Sequence, residues 1–149
     1  MKVLFVSSGN LNNGQPSILI KNQGESLNAQ GVQVYYYTIK KKGIIGYLRS
    51  VWKIAKQIRN IQPDYIHSHY SLSAFSTSIA ILFFNIKIPH TVSLMGSDTK
   101  MNGWKRSLTI YLSKHQWNHT IVKATRMAKE LGLKKYEIVP NGVDLNKIK

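Results

Sequence analysis

The sequence predicts an α/β sandwich built on a mostly parallel sheet, and three observations predict it. Strand-like apolar runs and helical patterns alternate about six times along the chain. The first run, KVLFVSS at residues 2–8, is near-continuously apolar, as a strand buried on both faces should be. The glycines and polar residues that the helices do not use collect in the loops after the strands, where ligands of parallel sheets bind. With 149 residues and 43% hydrophobic content, the chain can bury one sizeable core and reads as one domain.

Each element has its own local reason. Residues 9–15 form a loop after the first strand, and Pro16-Ser17 opens a helix that runs to residue 29, with Gly31 placed to end it. VQVYYYTI at 32–39 is β-branched and aromatic, hence a strand, with tyrosines 35–37 expected to be buried in it. A long helix over 44–61 stops before Pro63. Strands follow at 65–69, 91–94, 120–123 and 137–139, and helices at 73–84, 104–116 and 125–131. Pro140-Asn141-Gly142 is then a turn, and Asp144 is placed to cap a further helix. There is no internal repeat and no low-complexity tract.

Composition narrows the function. Lys and Arg total 21 against 6 Asp and Glu, a formal +15 that favours a polyanionic partner: nucleic acid, an anionic membrane or an acidic substrate. Without cysteine there is no disulfide and no thiolate metal site, which suits a reducing compartment. Val3-Leu4-Phe5-Val6 is too short for a signal-peptide core, and the longest apolar run, residues 79–84, falls far below the roughly 20 residues that span a bilayer. The sequon Asn118-His119-Thr120 therefore has no evident use. Serine-nucleophile and phosphate-loop signatures are missing, and so few carboxylates make a glycosidase acid pair hard to assemble.

Four constellations carry chemistry. The loop Gly9-Asn10-Leu11-Asn12-Asn13-Gly14 lacks dinucleotide-fingerprint spacing, so NAD binding is not expected; it is either an ordinary turn or a seat for a phosphate or sugar. His67 and His69 share one strand face. With Asp98 they could form a metal site; otherwise His67 packs in the sheet and His69, at the strand's exit, reaches a ligand. No metal is expected. Met95-Gly96-Ser97-Asp98 offers close backbone approach, a hydroxyl and a carboxylate, and Asp98 reads equally as a helix cap or a ligand contact. In the long helix, Ile44, Leu48, Val51, Ala55 and Ile58 have core spacing. Arg49, Lys53 and Lys56 stripe the opposite side, preceded by Lys41 and Lys42 and flanked by Ile45 and Trp52. That stripe is either a solvated face or one suited to an anionic lipid surface.

Taken in order, these pieces resemble the N-terminal domain of a GT-B glycosyltransferase, more narrowly the retaining "group 1" family of bacterial sugar-nucleotide-dependent enzymes. MKVLFVSSGN resembles the family's first strand and loop, and IKNQGESLNAQGVQVYYYTI its first helix and second strand. PDYIHSHYSLSA resembles its H-x-H element, TVSLMGSD its H-G-S-D element, and IVPNGVDLNKIK the segment leading to a second domain. The resemblance implies a Rossmann-like three-layer sandwich, one half of a GT-B enzyme, spanning residues 1–149, with the nucleotide-binding C-terminal domain missing from this chain.

The implied reaction transfers a sugar from a nucleotide-sugar donor, a substrate rather than a cofactor, to an acceptor hydroxyl with retention and without a required metal. The setting implied is cell-surface polysaccharide or glycolipid synthesis, on a glycan or lipid-linked acceptor, in the cytoplasm and peripherally at the inner face of the membrane. By the same resemblance His69 and Asp98 are catalytic candidates, and Gly9, Asn10, Gly14, Tyr70, Met95, Gly96, Ser97, Asn141 and Gly142 line the substrate cleft. Met95 departs from the family, which often has a sugar-contacting histidine there; a thioether donates no hydrogen bond. The alternatives are a GT-B-like sugar-nucleotide epimerase half and a basic nucleic-acid-binding module. No RNP-like aromatic pair or recognition helix supports the latter, so no nucleic-acid partner is expected.

Overall fold

The computed structural model describes residues 1–9, 13–40 and 43–141. Their order is β1 (Lys2–Ser8), α1 (Ile18–Ala29), β2 (Gln33–Ile39), α2 (Gly43–Ile61), β3 (Tyr65–His69) and α3 (Ser71–Phe83). Then come β4 (His90–Ser93), a 3-10 helix over Gly96–Lys100, α4 (Trp104–His115), β5 (His119–Val122), α5 (Thr125–Leu131) and β6 (Glu137–Ile138). Asn10, Lys41, Lys42, Gly142 and Asp144 lie outside the described residues.

The strands form one sheet in the order β2-β1-β3-β4-β5-β6, and every pairing is parallel. The predicted α/β sandwich is therefore the observed one. The order in which strands are added reverses at β1, which has β2 on one side and β3 on the other. In an open parallel sheet such a switch point leaves a crevice at the carboxyl ends of the strands.

Strand parity sorts the core into two layers. Val3 and Phe5 of β1 face α1, packing on Ile20 with Met95. Leu4, Val6 and Ile66 face the other way, onto Val51, Ile54, Ala55 and Ile58 of α2 and Ala80 of α3. Val92, Leu94 and Val122 continue that second layer against Phe75, Leu112, Met127 and Leu131 of α3, α4 and α5. One helical layer is thus a single helix and the other holds four.

α3 buries a serine-rich face, which works because most of its hydroxyls find a partner. Thr77 donates to the Ser73 carbonyl, Ser68 donates to Thr77, and the Trp117 indole donates to Ser78 at 2.9 Å. Ser73 Oγ is the exception.

Two expectations are corrected. Tyr35 and Tyr36 are each 38% exposed, because β2 is the sheet's edge and pairs only with β1 among the described residues. Leu48 is 53% exposed: the buried side of α2 is centred on Ile54, which rotates Leu48 into solvent beside Trp52. Boundaries shift slightly. α3 starts at Ser71, immediately after the unusual backbone of Tyr70, and β6 is only two residues long.

Candidate functional site

Parallel strands deliver their carboxyl ends to one edge, so the loops after β1, β3 and β4 meet there. Strands lie about 4.8 Å apart, which puts β4 about 10 Å from β1 and β6 about 19 Å from it. Gly9, Gly14, Tyr70, Met95, Gly96 and Ser97 therefore share one neighbourhood, and Asn141, exposed beyond β6, stands apart from it.

The first loop is closed on itself. The Gly14 amide donates to the Gly9 carbonyl (2.9 Å), and the Gly9 amide donates to Ile39 at the end of β2 (3.0 Å). Thr38 Oγ1 donates to the Gly14 carbonyl at 2.5 Å. A Cβ on Gly9 would stand 2.8 Å from Gly14 backbone atoms, closer than real contacts allow. Gly9→Ala is expected to cost about 1–3 kcal/mol by forcing this turn open; an unchanged urea midpoint would contradict the closed turn.

At the end of β3, His67 and His69 stack with ring centroids 4.4 Å apart, and Phe5 lies edge-on to both. His67 Nε2 shares a hydrogen bond with Ser93 Oγ at 2.8 Å. Its pKa is pushed down to about 4, first by burial and then by the Lys123 cation. His69 is held well below the usual value by burial, then by His67 and Lys123. The expectation that His69 reaches out to a ligand is not what the fold shows. Its side chain has no solvent exposure and neither ring nitrogen has a hydrogen-bond partner. Nor do the histidines meet Asp98 in a metal-binding set: among the described residues no three such ligands converge.

Tyr70, between β3 and α3, has φ 70° and ψ 147°, a conformation that usually belongs to glycine and costs a tyrosine about 1–3 kcal/mol. Its amide donates to the Ser93 carbonyl (3.0 Å) and its carbonyl accepts from Ala74. The ring packs against the Phe5–Met95 cluster, and burial, then the Asp98 charge, raises its hydroxyl pKa.

Asp98 is buried and both of its carboxylate oxygens are bonded within the fold. Its Oδ2 accepts from the Met95 amide (2.8 Å), while Oδ1 accepts from the Ser71 hydroxyl (2.8 Å) and amide (3.3 Å). Of the two readings, cap and ligand contact, the cap is the one these bonds satisfy. Burial raises its pKa, opposed by the Met95 and Ser71 donors. Asp98 thereby ties the 3-10 helix to the start of α3. Met95 is buried in the cluster with Phe5, so the position that often holds a histidine here serves packing.

What remains open to a ligand is Gly96 and Ser97, both exposed, at the start of the 3-10 helix. A Cβ on Gly96 would meet nothing within 4 Å, so the space above this backbone is free. Lys123 is a site residue that no sequence motif marks. It follows β5 directly, is half-buried with its pKa lowered by desolvation, and acts electrostatically on His67 and His69. No acidic side chain pairs with it among the described residues. The one signal for it in the sequence is its place just after a strand, at the edge where ligands bind.

Comparison with known proteins agrees with this architecture. A family model described as Glycosyltransferase Family 4 matches residues 15–147. The structure of Anabaena Alr3699/HepE in complex with UDP-glucose superposes with a TM-score of 0.67 at 16% identity, covering 98% of this chain and 45% of that one. Acinetobacter baumannii MurG superposes with a TM-score of 0.61 at 11% identity, covering 96% and 46%. Among curated proteins none matches by sequence. The chain thus spans less than half the length of these two structures, and at such identities the likeness establishes the fold, a GT-B half.

Proposed function

The chain belongs to glycosyltransferase family 4, and from that premise we propose that it forms the acceptor-side half of an enzyme that moves a sugar from a nucleotide-sugar donor to an acceptor hydroxyl with retention of configuration. A nucleotide-binding half is needed to complete the cleft. HepE was crystallised with UDP-glucose, and residues 1–149 correspond to 45% of it. The observation that carries the reading is the open edge at the switch point, where the pinned Gly9–Gly14 turn, Tyr70 and the exposed Gly96-Ser97 backbone converge.

In this reading Gly14, Gly96 and Ser97 touch substrate, while His69 and Asp98 lie behind them and hold the shape of the edge. An acceptor hydroxyl can be held by backbone amides and the Ser97 hydroxyl, and positioning of both reactants supplies much of the rate. The product belongs to cell-surface polysaccharide or glycolipid synthesis, made at the inner face of the membrane. No helix among the described residues is long and apolar enough to cross a membrane, which is compatible with peripheral attachment.

The 149-residue chain alone is expected to catalyse no transfer from any nucleotide sugar, because one wall of the cleft cannot position both reactants. Sugar transfer by the isolated chain would overturn the half-site reading. Titration with an acceptor glycoside should shift the amide resonances of Gly14, Gly96 and Ser97; shifts confined to other loops would overturn the assignment of this edge.

A further inference from the structure

We propose that the outer face of α4, from Trp104 to Tyr111, is a track for the trailing sugars of an acidic oligosaccharide acceptor whose terminal hydroxyl lies at Gly96 and Ser97. The proposal rests on the acceptor reading given above. It adds the substrate class, a carboxylate-bearing chain of several sugars, and the side chains that recognise it.

The exposed residues of α4 are Trp104, Arg106, Ser107, Tyr111, Lys114 and His115. Trp104 is 60% exposed and Tyr111 61%. The two stand two turns apart on one side of the helix, about 10 Å along its axis at 1.5 Å per residue. That separation suits two sugars of one chain. Gly103, with φ 60° and ψ −142°, adopts a conformation that side chains rarely take, and α4 begins at Trp104 directly after it. The Trp104 ring lies 6.5 Å from the buried Phe75, which backs it on the inner side.

The outward chemistry selects a sugar. The aliphatic side chains of α4 turn inward: Leu112 is in the core, with Leu108 and Ile110 packed against it. What faces out is aromatic rings spaced by hydroxyl and imidazole groups, with the Tyr111 and His115 rings 4.8 Å apart. Insertion into a bilayer takes aliphatic area. A sugar instead lays its C–H face on an aromatic ring and hydrogen-bonds around its rim.

Charge makes that sugar acidic. Between Asp98 and Glu130 the sequence has no Asp or Glu, yet it holds Lys100, Lys105, Arg106 and Lys114. The Lys105 ammonium is 5.9 Å from the Trp104 ring centre, placed to meet a carboxylate on a sugar stacked there.

Direction follows from topology. α4 leaves the carboxyl end of β4, just after the Gly96–Lys100 turn, and returns to the amino end of β5. Trp104 therefore stands at the substrate edge and Tyr111 further from it. A chain whose terminal sugar is held at Gly96 and Ser97 runs past Trp104 first and Tyr111 next.

The test is titration of the chain, labelled with 5-fluorotryptophan and nitrogen-15, with tetragalacturonate, galacturonate and maltotetraose. Tetragalacturonate should shift the Trp104 fluorine signal and the Gly96 and Ser97 amides, while Trp52 and Trp117 stay unmoved. It should bind several-fold more tightly than galacturonate. Trp104→Ala and Tyr111→Ala should each bring tetramer affinity down toward that of the monomer, with the circular dichroism spectrum unchanged. Equal affinity for tetramer and monomer with Trp104 unmoved would overturn the track and leave the acceptor edge standing. A Trp104 shift without Gly96 and Ser97 would support the sugar platform and overturn that edge. Equal binding of maltotetraose would overturn the acidic class. A Trp104 signal moved as far by tripolyphosphate, or moved only by phosphatidylglycerol vesicles, would overturn sugar recognition.

Discussion

Lowering the pH from 7 to 5 is expected to remove several kcal/mol of folding stability, with three buried histidines as the cause. His67 has its pKa pushed down to about 4 and His90 to about 3, and His69 lies well below the usual value. Burial is the first cause in each. A histidine whose folded pKa is depressed binds its proton more readily in the unfolded chain. Its contribution to stability is therefore complete above about pH 6.5 and is lost as the pH falls from there toward the folded value. Each such group costs about 1.4 kcal/mol per pH unit inside that window. His67 and His90 lose stability over the whole range from about pH 6.5 to 5, and His69 adds a loss of the same sign. Asp98 runs the opposite way: burial raises its pKa, so it favours the folded state as the pH falls toward the ordinary carboxylate range and partly offsets the histidines there.

Urea midpoints measured between pH 7.5 and 5 check this result; a flat profile would contradict neutral buried imidazoles. His69 offers the sharper variant. Both of its ring nitrogens are buried without partners, so His69→Phe surrenders no hydrogen bond and removes a buried polar penalty of about 1–3 kcal/mol. The variant is expected to be more stable than the parent at pH 7 and to show a slope smaller by one proton. A loss of stability at pH 7 would show that the imidazole has a partner after all.

Asp98→Ala is expected to destabilise the fold by about 3 kcal/mol, since the Met95 amide and the Ser71 amide and hydroxyl would all lose their acceptor. Asp98→Asn should cost less, because its carbonyl oxygen still serves Ser71. Thermal unfolding of both variants provides the comparison. Asp98→Ala folding as stably as the parent would return the carboxylate to the role of ligand contact and reopen its place in catalysis.

The order of elements, the parallel sheet and the family are legible in the sequence. They are written in local patterns: the apolar run of β1, the proline and glycine punctuation around α1, and a chain order of motifs that does not depend on side-chain orientation. The convergence of the loops after β1, β3 and β4 is legible too, because parallel strands must end at one edge. The exposed tyrosines of β2 are not, since nothing in VQVYYYTI says that the strand lies at the sheet's rim. Leu48 misleads for a related reason. Spacing marks one helix face as apolar, but α2 has apolar residues on both, with Ile45, Leu48 and Trp52 outside and Val51, Ile54 and Ile58 inside.

By itself, then, the sequence determined the α/β fold class and the glycosyltransferase family, with a strongly cationic composition and a loop cluster at one sheet edge. Only the tertiary structure decided what each cluster residue does there. Asp98 meets Ser71 across 27 positions of sequence, and His69 is sealed by Phe5 and His67. Lys123 acts on the histidines, and Phe83 joins Trp52. Burial and partner choice arise between elements distant in the chain: they leave His69 without solvent exposure and Asp98 bonded to Met95 and Ser71.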